Sequence, residues 1–258
     1  MIINTQERDL YLIRHPATLV PDISKLPADM PLFEVEDNLG LSGTGHLQGN
    51  LLAEYLVKWA SKVKQENRFL NKSVSFKTSP LGRARCLAEK VEKMVYPVLK
   101  DSYKGIEIVK GLRELDPNIS VGQFNELTSN YSQNMLNTYF YSHPERLSEN
   151  RELFDSQKNK VSTALDTILD TYASTILVFG HARNLSFLLW LFQQDRSTDK
   201  IGEEDIPDIV RNLEFISYTS ISMITINQNY NRAVKYIGRV PHLSANPELI
   251  GGTINLNL

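Results

Sequence analysis

The chain contains very little cysteine. Cys86 is the single cysteine in 258 residues, so no disulfide can form within the chain, as it would in a small secreted domain. We expect Cys86 to be a small buried side chain, the usual state of a free cysteine. The first residues are polar and lack the apolar segment of a signal peptide. These features favour a cytoplasmic location.

Long hydrophobic runs and an excess of charge of one sign are absent as well. No apolar run reaches the roughly 18 residues that a membrane-spanning helix needs. The formal net charge is −2, which gives no basic surface for nucleic acid or an anionic membrane. We therefore expect neither partner. The hydrophobic content of 41% is enough for a sizeable core. The oligomeric state is left open, a homodimer included.

Patterns typical of metal and nucleotide sites are absent too. The five histidines show no pair four residues apart and no nearby acidic cluster, so we expect no metal and no cofactor. The glycine-rich stretch at residues 40–45 lacks the Lys-Ser/Thr ending of a nucleotide-binding P-loop. A turn before a helix explains it better, with Ser42 as the residue that caps the helix.

The sequence does contain three places where a short apolar strand leads into a basic side chain. Such strands occur at residues 10–13, 74–77 and 176–179. The side chains that follow them are Arg14, His15, Arg83 and His181. In an open α/β sheet, ligands bind at the carboxyl ends of the strands, so these four side chains can share one crevice. Two guanidinium groups and two imidazoles without an acidic trio suit a phosphoryl group.

At these positions the chain resembles the histidine phosphatase superfamily, the phosphoglycerate mutase-like proteins. The motifs that carry the resemblance are Arg14-His15, Ser79-Pro80-Leu81-Gly82-Arg83-Ala84, Leu112-Arg113-Glu114 and the strand ending in His181. Weaker similarities are Leu41-Ser42 with Gly45 and Gln48, Thr219-Ser220, and His242-Leu243. The motifs follow in the order of the family from residue 10 to residue 243.

The resemblance implies a role for each of these side chains. His15 would be the nucleophile, kept neutral by the neighbouring positive charges. Arg14 and Arg83 would bind the phosphate oxygens. His181 would donate to a phosphate oxygen, best in its protonated form. Arg85, two residues further along the same helix, is expected to face solvent.

The resemblance also points to Glu114 as the general acid that protonates the leaving oxygen. Asp116, two residues later, is the local competitor for this role. The related phytase-like branch uses an aspartate directly after its second histidine instead, but this chain has Ala182 there. We prefer Glu114.

Three residues depart from the family pattern and bear on efficiency and substrate. Pro16 replaces the usual glycine and has no N–H to offer a phosphate. Ala17 stands where glutamate is common, and Pro21 where many members have an asparagine. None of these changes removes the nucleophile, the acid or the arginines.

The sequence thus predicts a metal-independent phosphomonoesterase that acts on a small phosphorylated metabolite through a phosphohistidine intermediate. Two alternatives remain. One is a phosphoglycerate mutase, although the Phe-x-Gly-Trp-x-Asp and Glu-Arg-x-Tyr-Gly stretches of the mutases are absent. The other is a catalytically idle binding protein on the same fold.

The predicted fold is α/β with three layers, α/β/α, around a central, mostly parallel sheet. We expect one domain over residues 1–258. An insertion at about 115–155, rich in tyrosine and asparagine, should form a cap over the carboxyl edge of the sheet. Predicted helices follow Ser42, extend from Arg83 to about Tyr96 before Pro97, and cover 158–173. Residues 196–212 are predicted as a loop.

Overall fold

A computed structural model describes residues 7–19, 25–31, 34–35, 38–65, 73–114, 151–194, 202–227 and 231–250. The strands are β1 (Arg8–Arg14), β2 (Val74–Thr78), β3 (Tyr103–Ile108), β4 (Thr175–Gly180), β5 (Ile221–Ile226) and β6 (Arg232–Arg239). The helices are α1 (Gly43–Gln65), α2 (Gly82–Leu99), α3 (Arg151–Leu169), α4 (Ala182–Gln194) and α5 (Ile206–Arg211). Short 3-10 helices include Lys110–Leu112 and Asn212–Phe215.

The six strands form one mixed sheet in the order β3-β2-β4-β1-β5-β6. The pairings of β3 with β2, β2 with β4 and β4 with β1 are parallel, whereas β5 and β6 run antiparallel. The sheet is therefore mostly parallel, as predicted. Its four parallel strands end at the same edge, where the predicted site side chains follow.

Helices cover both faces of the sheet because the strands in its centre are apolar on both sides. In β1, Leu10 and Leu12 pack into the cluster that contains α3 and α4. Tyr11 and Ile13 pack into the opposite cluster with α1 and α2. This alternation produces the three predicted layers.

Several predicted boundaries differ from the observed ones. Helix α3 begins at Arg151, seven residues before the predicted start. Pro97 does not end α2, which continues to Leu99. A proline so close to a helix end removes only one backbone hydrogen bond there. Part of the predicted loop at 196–212 is helical, since α5 occupies Ile206–Arg211.

The expectation for Cys86 is wrong, because its side chain is exposed. The buried stripe of α2 passes through Arg83, Leu87 and Val91, and Cys86 lies outside this stripe at helical spacing. The predicted cap at 115–155 lies outside the described residues as far as residue 150. In the described part of the chain, no helix is long and apolar enough to cross a membrane.

Candidate active site

The site is built where β2, β4 and β1 end side by side. Arg14 lies opposite Gly180 in the pairing of β1 with β4, and Thr78 lies opposite Phe179 in that of β2 with β4. The hydrogen bonding continues one residue beyond the strands. The backbone N–H of His15 donates to the Gly180 carbonyl at 3.0 Å, and the backbone N–H of Ser79 donates to the Phe179 carbonyl at 3.0 Å. The backbones that carry His15, Ser79 and His181 are thereby fixed relative to one another.

His15 is buried and its ring orientation is set by the main chain. Its Nδ1 lies 2.7 Å from the Pro16 carbonyl oxygen. Because a carbonyl can only accept, Nδ1 carries the proton. Burial lowers the pKa of His15 well below its usual value, and the charges of Arg83 and Arg14 lower it further. The ring is therefore neutral, with a lone pair on Nε2, as the predicted nucleophile requires.

His181 lies against His15, with ring centroids 5.0 Å apart. Its Nε2 contacts Ser79 Oγ at 2.8 Å, and Nδ1 has no hydrogen-bond partner among the described residues. Burial lowers the pKa of His181 well below its usual value, assisted by His15, Arg83, Arg14 and Arg113. The ring is therefore neutral in the protein without a bound anion, whereas the expectation of a protonated His181 concerns the complex with phosphate and stays a prediction.

Arg14 is held in place by the segment that precedes β5. Its Nη1 donates to the Ile216 carbonyl at 2.7 Å, and its guanidinium carbon lies 4.0 Å from the centre of the Tyr218 ring. Burial lowers the pKa of Arg14, while Tyr218 and Glu114 act to raise it. An arginine remains charged regardless, since its ordinary pKa is so high. Arg14 is thus a fixed cation beside both histidines.

Arg83 is the second fixed cation. It occupies the second position of α2 and is 5% exposed, which is unusual for an arginine unless it is paired or functional. Its charge lowers the pKa of both His15 and His181. Arg85 faces solvent as expected and forms an exposed ion pair with Glu89 at 3.3 Å.

Glu114 follows β3 through the 3-10 turn Lys110–Leu112. The Val109 N–H donates to the Thr78 carbonyl at 2.8 Å, so the pairing with β2 continues into this turn. Glu114 is 8% exposed, and it is close enough for its charge to act on Arg14. The four predicted basic residues and Glu114 therefore meet at one edge of the sheet. Asp116 and Pro21 lie outside the described residues.

The start of α1 holds the loop that follows His15. Ser42 Oγ accepts from the Gly45 N–H at 3.0 Å, which is the predicted helix cap. A Cβ atom at Gly45 would lie 1.9 Å from the Ala17 carbonyl oxygen. Gln48 Oε1 accepts from the Ala17 N–H at 2.8 Å. The Leu-Ser-x-x-Gly-x-x-Gln stretch thus fixes the main chain next to the nucleophile.

Sequence reasoning missed three residues at this site. Tyr218 packs on Arg14, and its ring centre lies 5.7 Å from that of His15. No local pattern marks it, because only the antiparallel pairing of β5 with β1 brings it there. Asn184 and Gln157 are buried next to the turn that carries Glu114, where Asn184 contacts the Arg113 carbonyl and Gln157 contacts Asn184. Polar residues inside the apolar stripes of two helices were the available signal for them.

The arrangement can bind a doubly charged phosphoryl group and offer it a neutral imidazole. The guanidinium groups of Arg83, which is buried, and Arg14, which is half-buried, supply charge-assisted donors. Among the residues that the structure describes, no group of three or more His, Cys, Asp or Glu side chains could hold a metal ion. Arg83 and Arg14 supply positive charge next to His15.

Comparison with known proteins gives the same family. The histidine phosphatase superfamily (branch 1) matches residues 10–236, whereas no curated protein matches the chain. Bacillus stearothermophilus YhfR has a similar structure, with a TM-score of 0.58, 18% identity, and coverage of 92% of this chain and 99% of that one.

Two solved phosphatases are similar in structure as well. For the mycobacterial glucosyl-3-phosphoglycerate phosphatase the TM-score is 0.55 at 13% identity, covering 91% of this chain and 100% of the other. For the alpha-ribazole phosphatase of Shigella flexneri it is 0.52 at 16% identity, covering 90% and 96%. At such identities the likeness extends to the fold alone. The family match covers most of the chain, and the chain therefore belongs to the histidine phosphatase superfamily.

Proposed function

We propose that the protein is a metal-independent phosphomonoesterase that hydrolyses a small phosphorylated metabolite through a phosphohistidine at His15. The observation that carries the proposal is the hydrogen bond from His15 Nδ1 to the Pro16 carbonyl. It leaves the lone pair of a neutral ring on Nε2, and an imidazole can attack phosphorus only through such a nitrogen.

In the first step, Nε2 of His15 forms a bond to phosphorus and the bond from phosphorus to the ester oxygen breaks. Arg14 and Arg83 stabilise the charge on the phosphoryl oxygens, which is the main source of rate in phosphoryl transfer. Their charges act on His15 in the free protein, which supports placing the phosphoryl group between them.

The leaving oxygen takes its proton from Glu114. Its position supports this role, because Glu114 is buried at the same edge of the sheet as His15 and its charge acts on Arg14. In the second step, the Glu114 carboxylate removes a proton from water as the water oxygen attacks phosphorus. The bond from phosphorus to Nε2 then breaks, which restores neutral His15 and protonated Glu114 and releases phosphate.

His181 changes its protonation during this cycle. In the free protein, burial lowers the pKa of His181, so the ring is neutral. A phosphate dianion beside it favours the imidazolium form. We infer that His181 takes up a second proton as substrate binds and donates it as a hydrogen bond to a phosphoryl oxygen.

The two solved neighbours named as phosphatases, one of them a glucosyl-3-phosphoglycerate phosphatase, support hydrolysis of a small phosphate ester. We also propose a cytoplasmic location, in which the one cysteine remains a free thiol.

Transfer of the phosphoryl group to a second substrate, as in a mutase, would use the same first step.

The test is to trap the intermediate. The protein is mixed briefly with ³²P-labelled acetyl phosphate in the presence of EDTA and quenched with alkali. We expect a phosphoryl group that is stable in alkali, labile in acid and located on His15. His15→Ala should carry no label, whereas His46→Ala, an exposed histidine of α1, should label normally. Label on a serine, or loss of labelling with EDTA, would overturn the proposal.

A further inference from the structure

A fully buried amide joins the helix behind His181 to the turn that carries Glu114. Asn184 is three residues after His181 in α4 and has no exposed surface. Its Nδ2 lies 2.5 Å from the carbonyl oxygen of Arg113 and 3.5 Å from that of Gly111. The Nε2 of Gln157, on α3, donates to Asn184 Oδ1.

These contacts fix the orientation of the Asn184 amide. The carbonyl oxygens of Gly111 and Arg113 can only accept, so the atom that faces them must be the nitrogen of the amide. Oδ1 then faces Gln157, which supplies a donor. Each of these three contacts pairs a donor with an acceptor, and Asn184 has no exposed surface from which water could replace them.

The contact with Arg113 acts directly on Glu114. The Arg113 carbonyl belongs to the peptide unit that links Arg113 to Glu114, and this unit is planar. Holding the carbonyl oxygen therefore fixes the orientation of the peptide plane that precedes the Glu114 Cα atom. The turn also packs closely on α3 at Gly111, because a Cβ atom there would lie 2.2 Å from the Lys160 carbonyl oxygen.

We propose that Asn184 is a positioning residue for Glu114, which it aligns with the leaving oxygen by holding the Arg113 carbonyl. The proposal rests on the proposed function, in which Glu114 is the general acid. It adds a reason why the acid and His181 keep their relative placement, since Asn184 belongs to the helix that begins directly after His181.

The test compares a poor leaving group with a good one. General acid assistance matters greatly for glycerol 2-phosphate, whose alkoxide leaves poorly, and little for p-nitrophenyl phosphate. The value of kcat/KM covers phosphoenzyme formation and omits its hydrolysis. Glu114→Gln should lower it about 10²–10⁴-fold for the alkyl ester and far less for the aryl ester. Asn184→Ala should show the same selectivity at about 10-fold to 10²-fold, since small misplacement has such effects.

Asn212 provides the matched control. It is also a buried asparagine, and it donates to the Ser186 carbonyl and to Gln193 Oε1, away from the turn. Asn212→Ala should lower the two kcat/KM values by the same factor. If Asn184→Ala fails to fold, Gln157→Met tests the same amide, because it removes only the donor to Asn184. It should show a smaller selective loss.

The outcomes separate the two proposals. If Glu114→Gln is selective but Asn184→Ala and Gln157→Met affect the two esters equally, the positioning role is wrong and the acid role stands. If Glu114→Gln itself shows no selectivity, the acid role fails and the positioning role fails with it. In the double variant, Asn184→Ala should add no selectivity to that of Glu114→Gln, and an added effect would overturn the positioning role.

Discussion

The Nδ1 atom of His15 lies 2.7 Å from the carbonyl oxygen of Pro16, the next residue in the chain. The family commonly has glycine at this position, and proline lacks the N–H that a glycine could offer a phosphate. The contact to His15, however, uses the carbonyl, which proline retains. The replacement therefore leaves the tautomer of the nucleophile intact and affects at most one donor to the phosphate.

The two buried histidines should make stability depend on pH. Burial lowers the pKa of His15 and His181 in the folded protein, so below about pH 6.5 the unfolded chain binds more protons. Their contribution is complete above that pH and is lost as the pH falls. We expect the free energy of unfolding to drop by up to about 1.4 kcal/mol per pH unit for each histidine.

Denaturant unfolding at several pH values between about 5 and 7.5 measures this dependence. This range brackets the ordinary histidine pKa of about 6.5. His181→Gln should have a smaller slope than the wild type. His46→Gln, on the exposed face of α1, is the control and should keep the wild-type slope. Equal slopes in wild type and His181→Gln would show that the pKa of His181 is the same in the folded and the unfolded protein, which would contradict the prediction.

Anion binding should take up a proton at His181. Sulfate is a suitable probe because it stays fully ionised across this pH range. Its inhibition constant should rise with pH by up to about tenfold per unit between the pKa of His181 in the free protein and its higher pKa in the complex, and should level off above the latter. Calorimetry in buffers of different ionisation enthalpy measures the proton directly. The uptake should vanish in His181→Gln, and its loss in His15→Gln alone would reassign the proton to His15.

The sequence allowed the sheet and the basic part of the site to be predicted, because both depend on local signals. Short apolar strands followed by Arg14, His15, Arg83 and His181 are visible in the chain, and parallel strands end at a common edge. Tyr218 could not be placed in this way. It precedes β5, and its position against Arg14 follows from an antiparallel pairing between residues that are far apart in sequence.

The neutral state of His181 in the free protein could not be predicted from the sequence for a related reason. The sequence shows that positive charges accompany this histidine, but it does not show how deeply the ring is buried. The structure leaves His181 with no exposed surface, and burial is the largest cause that lowers its pKa. Similarly, the expectation for Cys86 rested on its residue type, whereas its exposure follows from its position outside the buried stripe of α2.

Gly45 should be required at its position by a close contact. A Cβ atom would lie 1.9 Å from the Ala17 carbonyl oxygen, so Gly45→Ala must displace the loop that follows His15. We expect a loss of about 1–3 kcal/mol of stability and a lower kcat/KM. Gly43→Ala, where a Cβ atom meets nothing within 4 Å, is the control, and thermal unfolding with p-nitrophenyl phosphate turnover measures both. Equal behaviour of the two variants would contradict the contact.

Arg83 and Arg85 form a matched pair on one helix. Arg83 is buried and its charge reaches both histidines, whereas Arg85 is exposed and paired with Glu89. Arg83→Lys keeps the charge but loses the planar fork that binds two phosphate oxygens at once. We expect kcat for p-nitrophenyl phosphate to fall about 10²–10³-fold, as when one donor to a transition-state oxyanion is removed.

Arg85→Lys should leave kcat unchanged, since an exposed ion pair contributes only about 0–1 kcal/mol, and to stability alone. Thermal unfolding of both variants is the accompanying measurement. If Arg83→Lys lost activity only in proportion to a lost folded fraction, Arg83 would be a structural residue of α2. A loss of kcat in a fully folded Arg83→Lys protein requires that the guanidinium act in the transition state, because the lysine variant keeps the same net charge on the same helix.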